Sequence, residues 1–416
     1  MKIAIIGSGV AGLTSAFFLA PEHEVVVYEK DTRIGGHAHT LQIEHKGKKI
    51  QVDNGFMVFN PERYPNFIKL LEKLQVESTP TTMTLSVNIP GEVSYKGELP
   101  HALLAKKTNL LSIRFIKFLF GVVAFKKQAK RSLRIKEDAS LSLRDFFNKY
   151  PFNPDVASWF LYPVLSAVWS IEHKEKIDEF PAISTFQFLD NHKLLNFFQP
   201  TWRTIVGGSV QYTSRIKEYI ENYNARILLN QKITSITRKN KHIYVESNNK
   251  KERFDYIILA THANTAKRLL TDISVDEINA LSKFTYSKNL TVLHRDTRFT
   301  PTNKKLLASW NYMENNGKSS FTYCMNILQH IAFETPVLVT LNPQQKIDPA
   351  KTYAIDHYEH PRYTLDVIEG QRLISKLQGK NRTYFAGAHL GYGFHEDGVV
   401  SAIRVAKLLG IKKLWR

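Results

Sequence analysis

Three stretches of this sequence predict an α/β protein of two lobes, a nucleotide-binding parallel sheet with a mixed sheet and helices threaded through it. Residues 2–6 (Lys-Ile-Ala-Ile-Ile) are a mostly β-branched run that breaks at Gly7 into a helix of small and apolar residues. Residues 23–28 (His-Glu-Val-Val-Val-Tyr) read as a second buried strand ending on an acid, Glu29. Near the far end, Tyr384-Phe385-Ala386-Gly387 and then Glu396-Asp397-Gly398 again take a strand into a helix.

The first stretch is the most informative. In Gly7-Ser8-Gly9-Val10-Ala11-Gly12, Gly7 permits a tight turn and Gly9 lets the backbone approach a pyrophosphate. Gly12 lets helix and strand pack closely, and the free N–H groups of the helix start face negative charge. This is a Rossmann-like βα unit. Glu29 can accept both ribose hydroxyls of an adenosine, and its charge repels a 2′-phosphate, which disfavours NADP. Lys30-Asp31-Thr32-Arg33-Ile34-Gly35-Gly36-His37 follows where a simple NAD domain would start its next helix. This Glu-x-x-x-Arg-x-Gly-Gly run resembles the FAD-binding signature of the amine oxidase and phytoene desaturase superfamily. The resemblance implies that the segment after the paired glycines, at His37, passes beside a flavin.

Composition narrows the classes. At 416 residues the chain suits two lobes rather than one core. One cysteine, Cys324, excludes an internal disulfide and a cysteine-based metal cluster, and a reduced cytoplasmic compartment is the expectation. Nothing at the first residues marks export. The net charge of +19 is concentrated: ten basic residues and no acidic one lie between Lys106 and Lys136. No nucleic-acid-binding motif accompanies them, so no nucleic-acid partner is expected. Residues 109–125 are mostly apolar within that basic span, too short and too charged to cross a bilayer. Two readings stand: a helix lying on an anionic membrane surface, peripheral to its inner face, or a buried helix with a solvated basic end.

Further along, residues 41–52 suggest a hairpin turning at Lys46-Gly47-Lys48, which delivers Asp53-Asn54-Gly55-Phe56-Met57. Gly55, Phe56 and Met57 can lie against a planar ring or form a core strand. A helix is expected over 60–74, a strand over 81–87 and helices throughout 103–171. The aromatic residues of 156–195 suit either a core or a long apolar pocket. Strands are expected over 225–229, 232–238, 242–245 and 254–260. The superfamily resemblance places Ile233 near the adenine and Ala260 near the pyrophosphate. The expected division is a nucleotide lobe of 1–80, 205–265 and 381–416, and a substrate lobe of 81–204 and 266–380.

In the C-terminal segment, Glu396 or Asp397 caps a helix whose free N–H groups can face flavin N1 and the C2 carbonyl, where charge develops on reduction. Gly387, Glu396, Asp397 and Val399 complete the expected cofactor set. Phe385-Ala386-Gly387 followed by an acid-Gly helix resembles the superfamily's C-terminal signature. Ala388 and His389 stand where many members carry a ribityl-binding acid, which leaves Glu396 as the expected acid. Cys324 lies in no attachment motif, so FAD is expected to be non-covalent.

At closer range the chain resembles, nearly end to end, bacterial FAD-dependent oxidoreductases associated with cyclopropane fatty acid synthases. The residues carrying this include Gly55-Phe56-Met57-Val58, Asp190-Asn191-His192, Trp202-Arg203-Thr204, Gly207-Gly208-Ser209, His294-Arg295-Asp296, Tyr323-Cys324-Met325-Asn326, Leu328-Gln329, His360-Pro361 and residues 391–398. The resemblance implies a flavin-dependent redox step on a fatty-acyl lipid, with a hydride passing from carbon to flavin N5, and a cyclopropane-synthase-like methyltransferase as partner. His389, Tyr392 and His395 are the candidate catalytic groups, histidine being the proton shuttle near neutral pH; loop-stabilising hydrogen bonds are the other reading of the three. The alternatives are a flavin amine oxidase acting on a small amine, and a non-catalytic FAD-binding partner of the methyltransferase.

Overall fold

The structure is a computed structural model that describes residues 1–97, 107–169, 177–196, 201–315 and 318–415. Both ends of the helical region expected over 103–171, with Lys106, lie outside the described residues.

Strand β1 (Lys2–Ile6) leads through the glycine turn into helix α1 (Val10–Leu19), and β2 (Glu24–Tyr28) returns beside β1. The hairpin of β3 (Thr40–His45) and β4 (Lys48–Asp53) turns where Lys46 and Gly47 take positive φ. Helix α2 (Pro65–Lys73) starts later than expected. The Asn60 side chain accepts from Glu62 N and holds a turn first, and Pro65 then supplies the preset φ of a first helical residue. The strand expected over 81–87 is two strands, β5 (Ser78–Thr81) and β6 (Leu85–Ile89), in different sheets. Strand β7 (Val93–Lys96) pairs with β6.

The region expected to be helical throughout holds α3 (Ile113–Arg134), α4 (Leu143–Lys149) and a widened turn over Val156–Leu161 that continues into α5 (Tyr162–Trp169). A capping box between Ser142 and Asp145 starts α4. Then come α6 (Ala182–Asn191), β8 (Trp202–Ile205), α7 (Val210–Glu221), β9 (Arg226–Leu228) and a meander of β10 (Ile233–Lys239), β11 (His242–Ser247) and β12 (Lys250–Phe254). Strand β13 (Tyr256–Leu259), helices α8 (Ala263–Leu269) and α9 (Val275–Ser282), and strands β14 (Tyr286–His294), β15 (Trp310–Asn315), β16 (Lys318–Cys324), β17 (Leu338–Leu341) and β18 (Thr352–Pro361) follow. The chain ends with α10 (Leu365–Leu377), β19 (Thr383–Phe385) and α11 (His395–Leu408).

Two sheets organise these elements. Five parallel strands run in the order β19-β13-β1-β2-β9, so the first strand lies at the centre and strands from both ends of the sequence share one sheet. β1 and β2 are apolar on both faces because helices α1, α2, α7 and α11 cover one side and the meander the other. The second sheet is mixed, seven strands in the order β18-β14-β17-β16-β15-β6-β7. The inner residues of α3, Phe115 and Phe118, share an apolar cluster with β6, β7 and the strands of this sheet. Among the described residues no helix is long and apolar enough to cross a membrane.

Candidate functional site

The glycine turn is fixed by backbone contacts that no side chain could replace. A Cβ on Gly12 would stand 1.9 Å from the Gly7 carbonyl oxygen, and one on Gly7, at φ +101°, would stand 2.7 Å from the Ala260 oxygen. Beside Gly9, by contrast, an added Cβ would meet nothing within 4 Å, the open space a diphosphate needs at a helix start. Gly36 comes within 3.2 Å of the Gly9 Cα when given a Cβ, and Gly35 N donates to Ser8 O at 2.9 Å, so the paired glycines lie against the first turn. Arg33 Nη1 donates to Gly36 O at 2.9 Å and latches this loop, while Lys30 points into solvent, 3.6 Å from Asp31.

Glu29 is buried at the end of β2 and accepts from Ser8 N (2.9 Å), Ser8 Oγ (2.6 Å) and Asp31 N (3.0 Å). Its backbone oxygen accepts from Gln231 N at 2.8 Å, which sets Ile233 at the mouth of β10 nearby.

The two ends of the chain meet here. A Cβ on Gly398 would stand 2.6 Å from Val10 Cγ1, so the first turn of α11 lies against the first turn of α1, with Val399 buried between them. Asp397 accepts from Tyr392 N (3.1 Å) and Phe394 N (2.9 Å) and closes the α11 cap; burial pushes its carboxyl up to about 6. Gly387 N donates to Ser401 Oγ at 2.9 Å. Glu396, expected at a ribityl chain, is instead turned to α2, where it accepts from Asn66 N, Asn66 Nδ2 and Phe67 N at 2.6–3.1 Å.

Phe56 N donates to His37 O at 2.8 Å, and a Cβ on Gly55 would stand 2.1 Å from that same oxygen, so the segments of His37 and Phe56 run in contact. Phe56 stacks on His395 with ring centroids 3.5 Å apart, and His395 Nε2 lies 3.2 Å from the Tyr212 hydroxyl. Met57 is buried among the residues beneath the mixed sheet. Burial pushes His395 and His389 down to about 3, so both are neutral near pH 7. A proton shuttle works with a pKa near the operating pH, which argues against the role expected of these two. Tyr392 sits 5.3 Å from the Tyr363 ring, its hydroxyl pushed up by burial.

Sequence reasoning placed His37 beside a flavin but missed the seam of histidines it forms with His262 and His360. His37, His262 at the end of β13 and His360 on β18 have ring centroids 6.3 Å (His37–His262) and 5.3 Å (His37–His360) apart. His262 stacks on Tyr286 at 4.4 Å with Nδ1 3.4 Å from Glu359 Oε2, and His360 Nδ1 lies 2.8 Å from Asn289 Nδ2. His37 Nε2 is buried without a partner. Burial, reinforced by the neighbouring imidazoles, holds His37 well below the usual range, and His360 is pushed down to about 4. Asp53 was missed as a hub: it accepts from Thr40 Oγ1, Ser209 N, Ser209 Oγ and Gln329 Nε2 at 2.6–2.9 Å, and burial pushes it up to about 6. The only sequence signal was its place just before Gly55.

These residues fit FAD. The glycine turn offers open space at Gly9, the buried acid Glu29 stands at the ribose position, the α11 start converges on the same turn, and the orphaned His37 nitrogen lies at the seam. Fold and site together define a dinucleotide-binding redox protein. The chain belongs to the family described as flavin containing amine oxidoreductase, whose pattern matches residues 10–328. It is an FAD-dependent oxidoreductase that holds FAD without a covalent bond, and Cys324, its one cysteine, is buried at the end of β16.

Solved structures share the fold across the whole chain. A fatty acid isomerase from P. acnes that produces CLA superposes with a TM-score of 0.65 at 15% identity, covering 98% of both chains. Cyclohexylamine oxidase from Brevibacterium oxydans gives a TM-score of 0.63 at 16% identity, covering 98% of this chain and 99% of that one. One curated protein, the 4,4'-diaponeurosporene-forming 4,4'-diapophytoene desaturase of Staphylococcus aureus, is 49% identical over 43 residues, which is 10% of this chain and 9% of that protein.

Proposed function

We propose that this oxidoreductase acts on an apolar, fatty-acyl substrate, removing a hydride from one of its carbons. The observation that carries the reading is the apolar packing around Met57, beside Gly55 and Phe56: its buried cluster also holds Tyr323, Tyr312, Trp159, Phe118 and Phe115, the last two on the inner side of α3. An apolar surrounding of this kind suits an acyl chain better than a small cation. A fatty acid isomerase with the same fold adds support.

When bound, FAD supplies the two-electron acceptor. The chain's own groups do the rest. The glycine turn and the α11 start would hold the dinucleotide, and the Asp53 hub ties β3, α7 and the loop at Gln329 together. The neutral imidazoles of the seam keep fixed positive charge away from an apolar substrate. The Glu359 carboxylate beside Nδ1 of His262 offsets part of the downward push that burial gives this imidazole, and it favours the tautomer whose Nε2 would take a proton from the carbon next to the one that gives up the hydride, leaving a C=C bond.

Anaerobic mixing with detergent-dispersed phospholipid bearing unsaturated acyl chains is the test. Bleaching of the oxidised-flavin absorption is expected, with no bleaching by putrescine or cyclohexylamine. Bleaching by the amines alone would overturn the acyl reading in favour of amine oxidation.

A further inference from the structure

Helix α3 has two faces of different chemistry. Its inner face, with Phe115, Phe118, Phe125, Lys126, Ala129 and Ser132, is buried. On the outer face, Ile113 is 71% exposed, Ile116 38% and Phe120 72%, and Leu111 just before the helix is 87% exposed. Ile113, Ile116 and Phe120 recur at the three- and four-residue spacing of one helix face. Farther along the same face come Lys127, Arg131 and Arg134, with Lys117 beside Phe120, all four exposed. Among the described residues none of the four forms an ion pair. Arg114, in contrast, is neutralised by Asp155 at 2.7 Å, and Lys126 and Lys130 turn inward to Asn196.

We infer that this outer face of α3 docks on an anionic lipid surface, with Leu111, Ile113, Ile116 and Phe120 entering the acyl boundary and Lys117, Lys127, Arg131 and Arg134 against the headgroup phosphates. The occupant follows from charge and shape together. Unpaired cations beside an exposed aliphatic and aromatic stripe match a surface that is negative outside and apolar beneath. A helix of 22 residues spans about 33 Å at about 1.5 Å per residue, long enough to lie flat on such a surface. Phe115 and Phe118 on its inner face belong to the apolar cluster that includes Met57, so docking would set that cluster's side of the molecule against lipid. The inference stands on the surface alone and survives if the acyl reading of the site fails.

The experiment is co-sedimentation of the FAD-loaded protein with vesicles of pure phosphatidylcholine and with vesicles containing phosphatidylglycerol. Binding to the anionic vesicles only, weakened by salt, is expected. Lys127→Glu/Arg131→Glu should weaken it by at least about tenfold, since each cation near such a surface contributes about fivefold. Ile113→Ser/Phe120→Ser should weaken it while leaving the flavin spectrum and melting temperature unchanged, which separates docking from folding. Lys48→Glu/Lys49→Glu, on the exposed turn of the β3–β4 hairpin, makes the same charge change elsewhere and should leave binding intact. Equal loss with this control pair, binding that ignores Phe120, or a dimer in sedimentation velocity that Phe120→Ser dissolves would each overturn the inference.

Discussion

The glycine turn at the parallel sheet and the packing at the mixed sheet use opposite means to build a surface. Around Gly7 and Gly12 the backbone itself is the surface, and distances of 2.7 and 1.9 Å from an imagined Cβ to a carbonyl oxygen show that one residue type fits. Beneath the mixed sheet the surface is side chains such as Met57, Phe118, Trp159 and Tyr323, and many combinations of similar volume would fill it. A site made of backbone is therefore written in the sequence by type and spacing. A site made of packed side chains is written only as a hydrophobic average.

The largest effect should come from breaking the backbone side of this contrast. Gly12→Val forces a side chain into the Gly7 carbonyl and should cost several kcal/mol, giving protein that is insoluble or colourless; a soluble, fully yellow variant would remove the special status given to this turn. Next, His262→Gln should slow anaerobic flavin reduction by about 100-fold with flavin content unchanged, the scale of a lost acid–base group. A change confined to substrate affinity would reduce His262 to a positioning residue.

The pH dependence of stability sharpens the comparison at the buried histidines. His360, His389 and His395 have folded pKa values of about 4, 3 and 3, below the ordinary 6.5, so their contribution is complete above pH 6.5 and is lost as pH falls toward 4. Asp53 and Asp397, raised to about 6, oppose this, because the folded protein holds their protons more tightly than the unfolded chain over the same window. Imidazoles outnumber carboxylates, so stability should fall by a few kcal/mol between pH 7 and 5, read as a lower melting temperature. A melting temperature that rises over that interval would show that the seam is not dry. The smallest effect belongs to the outer face of α3: Phe120→Ser should change stability by less than about 0.5 kcal/mol in thermal melts, as expected of a side chain 72% exposed.

What the sequence revealed follows the same divide. Gly7, Gly9, Gly12, Glu29, Gly35 and Gly36 were readable because a glycine turn and an acid roughly 20 residues on have few other uses. The basic stretch of 106–136 was readable as composition, yet composition could not tell Lys126, which is buried, from Lys127, which is exposed. The histidine seam was not legible. His37, His262 and His360 come from a loop, a strand end and a different sheet, and only the crossing of the chain between lobes joins them. Glu396 was placed correctly at the start of α11, but nothing local shows that its carboxylate accepts from Asn66 and Phe67 at the start of α2.

The most direct test of the joint cradle is FAD affinity of Gly398→Leu, measured by quenching of flavin fluorescence on binding. This residue lies at the opposite end of the sequence from the glycine turn, and its side chain would enter Val10 and approach Ala11 N. Folded protein with FAD binding weakened by at least about tenfold, or about 1.4 kcal/mol, is the predicted result. Unchanged affinity in the folded variant would contradict a site assembled from both ends of the chain.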